Sequence, residues 1–167
     1  MIRAFLFALL CLACSLYTAL ATDAAGVAFL VAKGKEEGVF TLPSGLMYKE
    51  LRAGNPDGKT PTVNSPCDVN YAGSLIDGTE FDSSFARGEP SRFSPSQVIK
   101  GWTEAMQLMK EGAKWELYIP SDLAYGEVGA GGAIPPGAAL VFQMEILQVH
   151  DEEVRIGRQK YPMEGQR

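Results

Sequence analysis

Histidine is almost absent from this chain: His150 is the only one in 167 residues, beside three cysteines, of which Cys11 and Cys14 lie in an apolar stretch at the start. The residue types that ligate zinc and most transition metals are therefore too few for a clustered His/Cys site. A nucleophilic pair of Cys67 and His150 is arithmetically available, yet neither residue sits in a recognisable signature. Basic stretches are also missing. Fifteen Lys and Arg stand against twenty Asp and Glu, for a net charge of −5, and no lysine- or arginine-rich stripe marks a nucleic-acid or anionic-membrane partner. The glycine-rich stretch 126–137 lacks both the G-x-G-x-x-G spacing and the lysine of a phosphate loop, so nucleotide binding has no support. The carboxylates Asp77, Glu80, Asp82 and Glu89 lie close together in sequence; surface solvation is a plainer reading of them than the paired acids of a glycosidase.

What is present fits one ordinary globular domain: 46% of residues are hydrophobic and 21% charged, and eighteen glycines and ten prolines fall in clusters that punctuate short strands. Residues 1–21 differ in character. One arginine, Arg3, precedes an almost unbroken apolar run over 4–16, and Ala19-Leu20-Ala21 supplies small residues where a signal peptidase reads. The expectation is a secretory signal cut after Ala21, placing the protein outside the cytoplasm and taking its charge to −6. A retained anchor is the other reading, although the run is shorter than the ~20 residues a span needs. Lipid attachment at Cys14 is a third. Cys67, then the sole thiol, reads as a core residue or as an intermolecular or reactive one.

Residues 22–40 read as a short helical extension, with Asp23 as cap, Ala24, Ala28, Val31 and Ala32 on one side, and Gly34 or Gly38 as the stop. From Thr41 the period changes to two. Segments 46–52, 67–76, 79–82, 115–120 and 139–149 read as strands, with Val69, Tyr71, Gly73 and Leu75 sharing one face of the second and Leu140, Phe142, Met144 and Ile146 one face of the last. Asp77-Gly78 predicts a two-residue primed turn. One helix is predicted over 99–110, with Trp102, Ala105, Met106 and Met109 at i, i+3, i+4 and i+7 and Gly112 past its end. The fold class that follows is α+β: about five antiparallel strands in a twisted sheet wrapped around one short helix. A polar tail occupies 151–167.

Five blocks then occur in order: Val69-Asn70-Tyr71-Ala72-Gly73; Asp77-Gly78-Thr79-Glu80-Phe81-Asp82-Ser83-Ser84; Val98-Ile99-Lys100-Gly101-Trp102; Ala124-Tyr125-Gly126; and Ile134-Pro135-Pro136-Gly137 with Leu140-Val141-Phe142. Over 41–150 they resemble the FKBP-type peptidyl-prolyl cis/trans isomerases, and the approach through Thr41-Leu42-Pro43-Ser44-Gly45-Leu46 is similar to the macrophage-infectivity-potentiator (Mip) subgroup. The resemblance implies an isomerase of Xaa-Pro bonds that assists folding of exported or host proteins, with a role in virulence, no cofactor and no metal. A module that binds proline turns without needing turnover is the alternative. It implies Trp102 as the pocket floor, with Tyr71, Phe81, Val98, Ile99, Ile134 and Phe142 as walls and Phe93 closing one side. Gln97 and Ala124 flank these. The Ile99 N–H and the Tyr125 hydroxyl would bond peptide carbonyls. Asp82, steadied by Arg87, would be the charged group at the rim. Tyr71, Asp82, Trp102 and Tyr125 are thus the implied catalytic set. The partners implied are proline-containing peptides and the macrolides tacrolimus and rapamycin.

The sequence departs from the family pattern at Ser91, Ala130 and Ala133, where larger side chains are common in relatives, and these thin the rim. Weaker macrolide binding with turnover retained is the expectation. The subgroup's long N-terminal helix and dimerisation segment have little counterpart in 22–38, so a monomer is expected.

Overall fold

The computed structural model describes residues 22–151. The expected leader over 1–21 and all but the first residue of the expected tail lie outside the described residues. Among them, no helix is long and apolar enough to cross a membrane.

The chain runs through helix α1 (Ala24–Lys33), strands β1 (Val39–Thr41), β2 (Met47–Arg52), β3 (Cys67–Leu75) and β4 (Glu80–Ser83), a single helical turn α2 (Ser84–Arg87), and β5 (Ser91–Phe93). Helix α3 (Lys100–Met106), β6 (Lys114–Ile119) and β7 (Leu140–Val149) complete it, with 3-10 turns at Pro95–Gln97 and Ser121–Leu123. All strand pairings are antiparallel, in the order β1-β2-β6-β7-β3-β4, with β5 also on β3. The seven strands exceed the five that periodicity picks out because β1 and β5 have three residues each, too few to display an alternation.

The predicted inward faces are the buried ones. Val69, Leu140, Met144 and Ile146 on β3 and β7 meet Ala105, Met106 and Met109 of the helical region, all of them fully or almost fully buried. Helix α3 is shorter than predicted: Gln107 ends it, and Met109 reaches the core from the turn that follows. Cys67 is a core thiol. Its S–H donates to the Ser65 carbonyl at 3.3 Å, and burial pushes its pKa up to about 11.

Two local expectations need correction. Helix α1 does begin at Asp23, whose carboxylate accepts from the Gly26 N–H at 2.6 Å, and stops at Gly34. Its inward face is not Ala24, Ala28, Val31 and Ala32, which are all exposed. Gly26 and Leu30 turn inward, and Leu30 joins Tyr118 and Ala139 in a second small core on the outer face of the sheet. An apolar helix has no polar side to mark its exterior, so the surface it docks on makes the choice. The β3–β4 connection spans four residues, 76–79, rather than two. The Gly78 N–H donates to Leu75 O, the Leu75 N–H donates to Thr79 O, and only Gly78 has positive φ, at 88°. Asp77 stays at negative φ because its carboxylate accepts from the Thr79 N–H, at 2.9 Å.

At the far end of β3, Asp68 accepts two bonds from Arg92, at 2.6 and 2.9 Å, and contacts His150 Nε2 at 2.8 Å, joining β3, β5 and the end of β7. The Arg92 bonds lower the Asp68 pKa to about 2, with partial burial acting against them and His150 with them. A carboxylate depressed in the folded state stabilises the fold above its unfolded pKa, and that contribution disappears as pH falls from about 3.8 through about 2. Asp68→Asn is therefore expected to lose about 1–2 kcal/mol in urea unfolding at pH 6, a solvent-discounted figure, and to approach wild type near pH 2. A gap of equal size at both pH values would count against this linkage.

Candidate functional site

The site begins with an interruption in one edge of β3. Strand β4 pairs with Ala72–Ser74, β5 pairs with Cys67–Val69, and between them the chain leaves the sheet to make α2. The Tyr71 N–H, deprived of a strand partner on that side, donates instead to the Ser84 hydroxyl at 2.8 Å. Ser84 also donates toward Asn70 Oδ1, at 3.2 Å. Ser83 caps the turn by accepting from the Ala86 N–H. This excursion brings Asp82 and Arg87 to the phenol of Tyr71.

Tyr71 Oη donates to Asp82 Oδ2 at 2.6 Å, and Arg87 Nη1 bonds Asp82 Oδ1. Arg87 Nη2 reaches both Tyr71 Oη, at 2.8 Å, and the Ser91 hydroxyl, at 3.0 Å. Partial burial pushes Asp82 up, but the bonds from Tyr71 and Arg87 outweigh it and hold the carboxyl below its ordinary range. Burial and the Asp82 bond push Tyr71 up. At neutral pH the group is an anion, a cation and a neutral phenol, each already engaged.

Beside this triad lies a cavity of about 400 Å³, and six of its ten lining residues are aromatic. Trp102, 4% exposed, occupies its base from the first turn of α3. The rings of Tyr71, Phe93 and Phe142 stand at 79°, 75° and 82° to the indole plane, with centroids 5.0, 6.2 and 5.1 Å away. Neighbours at such angles form walls rather than lids, and edge-to-face contact is a favoured aromatic geometry. Phe81 extends the wall through a 5.6 Å edge contact with Phe142. Gly73 keeps the corner open: a Cβ there would lie 2.4 Å from Phe142 Cε1 and 2.8 Å from the Phe81 ring.

The remaining lining is Asp82, Gln97, Val98, Ile99 and Tyr125. Gln97 accepts from the Ser94 N–H through Oε1 and shapes the approach to α3. Donors of the lining residues that have no protein acceptor among the described residues include the Ile99 N–H, the Tyr125 hydroxyl and the buried Trp102 indole N–H.

Ten of the thirteen residues implied by the sequence thus line one cavity. Arg87 does not, and acts on it through Asp82 and Tyr71. Ile134, implied as a wall, and Ala124, implied as a flanking residue, are not among the residues lining it. Ile134 pairs its backbone with Ala130 in a small bridge and, at 7% exposed, belongs to the same core as Trp102 and Phe142, while Ala124 is partly buried against that core. Sequence reasoning missed Ser84 and gave Ser91 only as a missing aromatic. Ser84 stood inside a quoted motif, but its task exists only because the β3 edge is interrupted.

The profile of the family described as FKBP-type peptidyl-prolyl cis-trans isomerase matches residues 57–147. A protein named Macrophage infectivity potentiator, from Trypanosoma cruzi, is 47% identical over 126 residues, covering 75% of this chain and 64% of that protein. Another, Peptidyl-prolyl cis-trans isomerase Mip from Coxiella burnetii, is 52% identical over 122 residues, 73% of this chain and 52% of that one. The crystal structure of a peptidyl-prolyl cis-trans isomerase from Pseudomonas syringae pv. tomato superposes with a TM-score of 0.71 at 41% identity, covering 81% of this chain and 96% of that one. The chain spans about half to two thirds of the length of the curated relatives it matches.

Proposed function

The chain belongs to the FKBP-type peptidyl-prolyl cis-trans isomerase family, and from that premise we propose that its aromatic cavity binds proline and catalyses rotation about the Xaa-Pro bond. One observation carries the reading: an open apolar cavity with an indole at its base and, on its wall, the unspent donors of the Ile99 N–H and the Tyr125 hydroxyl.

Amide resonance opposes this rotation with a barrier of about 18–20 kcal/mol, and each ~1.4 kcal/mol removed is worth tenfold in rate. No nucleophile is needed. At the perpendicular transition state conjugation is lost and the carbonyl is less dipolar, so a dry aromatic site favours the twisted amide over the planar one, relative to water. The Ile99 N–H and the Tyr125 hydroxyl hold carbonyls of the flanking peptide in a turn. Asp82 orients rather than transfers protons, since both its oxygens are already bonded. Arg87, tied also to Ser91, keeps that carboxylate charged and in place. The occupants are proline-containing segments of exported or host proteins, met by a monomer outside the cytoplasm, and tacrolimus and rapamycin compete for the cavity.

The test is NMR exchange or protease-coupled isomerisation of a short Xaa-Pro peptide, with and without rapamycin. Turnover well above buffer, abolished by the macrolide, is expected. Rapamycin binding without turnover would instead leave a proline-docking module, and the absence of both would defeat the proposal.

A further inference from the structure

The loop over 121–137 carries Tyr125, and both of its ends are held by the two residues that precede α1. The Ser121 N–H donates to the Thr22 hydroxyl oxygen at 3.0 Å, and the Thr22 and Ser121 hydroxyls share a second bond of 3.1 Å. At the other end the Asp23 N–H donates to the Gly137 carbonyl at 2.8 Å. Inside this outer pair lies an inner one. The Gly126 N–H donates to the Ser121 carbonyl at 2.7 Å, and the Gly126 carbonyl accepts from the Gly137 N–H at 2.9 Å. Together these bonds close a ring through Thr22, Ser121, Gly126, Gly137 and Asp23.

Tyr125 immediately precedes Gly126, so its backbone is fixed by the ring. Its side chain stands 39% exposed on the cavity. Beyond the paired bonds between Ala130 and Ile134 and one from the Gly129 N–H to the Tyr125 carbonyl, the tip of the loop is loosely built: it contains Gly129, Gly131 and Gly132, all at positive φ, and Val128 is 88% exposed. Ser121 is fully buried, so its N–H needs an acceptor, and Thr22 provides one from a residue 99 positions away. Neither Thr22 nor Asp23 lines the cavity.

We propose that Thr22 and Asp23 are positioning residues, which lock the 121–137 loop so that the Tyr125 hydroxyl is presented to the bound peptide. The consequence for turnover rests on the isomerase reading above; the consequence for the loop does not.

The test uses point variants of the full chain. Thr22→Val keeps the methyl group that lies against Gly26 and removes the hydroxyl, Thr22→Ser restores it, and Tyr125→Phe removes the group being positioned. Asp23→Pro removes the donated N–H at a residue whose φ of −63° already suits proline, and Asp23→Ala controls for the lost helix cap. Thr22→Val and Asp23→Pro are each expected to raise KM for an Xaa-Pro peptide about 3–10-fold with kcat nearly unchanged. Hydrogen exchange at the Gly126 and Gly137 amides should speed up about tenfold or more, while β3 and β7 amides stay slow. Thr22→Ser should restore both readouts, and Asp23→Ala should leave both near wild type. On the Tyr125→Phe background, Thr22→Val should add nothing to KM. Unchanged loop exchange in both Thr22→Val and Asp23→Pro would overturn the proposal, as would a full-sized KM effect of Thr22→Val without the Tyr125 hydroxyl. A wild-type chain without turnover defeats the isomerase reading alone, and the exchange rates then still decide the loop.

Discussion

Trp102→Ala is expected to lower kcat/KM for an Xaa-Pro peptide by about a hundredfold or more, equivalent to at least ~2.7 kcal/mol of transition-state stabilisation, and to abolish rapamycin binding. The indole is at once the base of the cavity and part of the core, in edge-to-face contact with Tyr71, Phe93 and Phe142. Truncating it removes the surface against which the pyrrolidine ring would lie and leaves a void beneath. Large-to-small changes of this kind destabilise a fold by about 3–5 kcal/mol. Because loss of folding would mimic loss of function, Trp102→Phe is the informative companion. It keeps an aromatic base of smaller area, and is expected to fold at a cost of about 1–2 kcal/mol with activity reduced roughly tenfold. Chemical unfolding and the coupled assay on both variants check this. A folded Trp102→Ala protein with wild-type turnover would remove the indole from the mechanism.

The second large effect comes from adding an atom. Gly73→Ala places a methyl group 2.4 Å from Phe142 and 2.8 Å from Phe81, contacts that real side chains do not tolerate, so both rings must move. With the sheet behind them, they move toward the cavity. Overpacking costs about 1–3 kcal/mol, and because the displaced rings occupy the binding space, turnover is expected to fall at least about tenfold. Gly78→Ala is the contrast. A Cβ there meets nothing within 4 Å, and only the positive φ of 88° resists it. That strain costs roughly 1 kcal/mol and leaves turnover untouched. Equal activity in the two variants would show that the corner at Gly73 does not shape the site.

Much of the site was legible in the chain because its residues are tied to strong local patterns. The alternation through Val69, Tyr71 and Gly73 and the helical spacing from Trp102 to Met106 each place side chains on one face whatever else the chain does. Residues whose surroundings come from distant segments were less legible. The backbone bridge that Ile134 makes with Ala130 has no counterpart in the motif that marked it. Ser91 looked like a vacancy in the rim, yet it supplies a third anchor for Arg87.

The amino-acid order alone determined that the domain is an antiparallel sheet around one helix and that His/Cys metal clusters and phosphate loops are excluded, since these follow from periodicity and composition over short spans; that its aromatic residues meet in one pocket was implied only by the family resemblance. Tertiary structure decided which face of α1 turns inward, how the β3 edge is split to admit α2, and that Thr22 and Asp23 close the ring around the Tyr125 loop. Each of these depends on hydrogen bonds or packing between segments far apart in sequence. Local propensity is indifferent to such partners, and only the folded arrangement chooses among them.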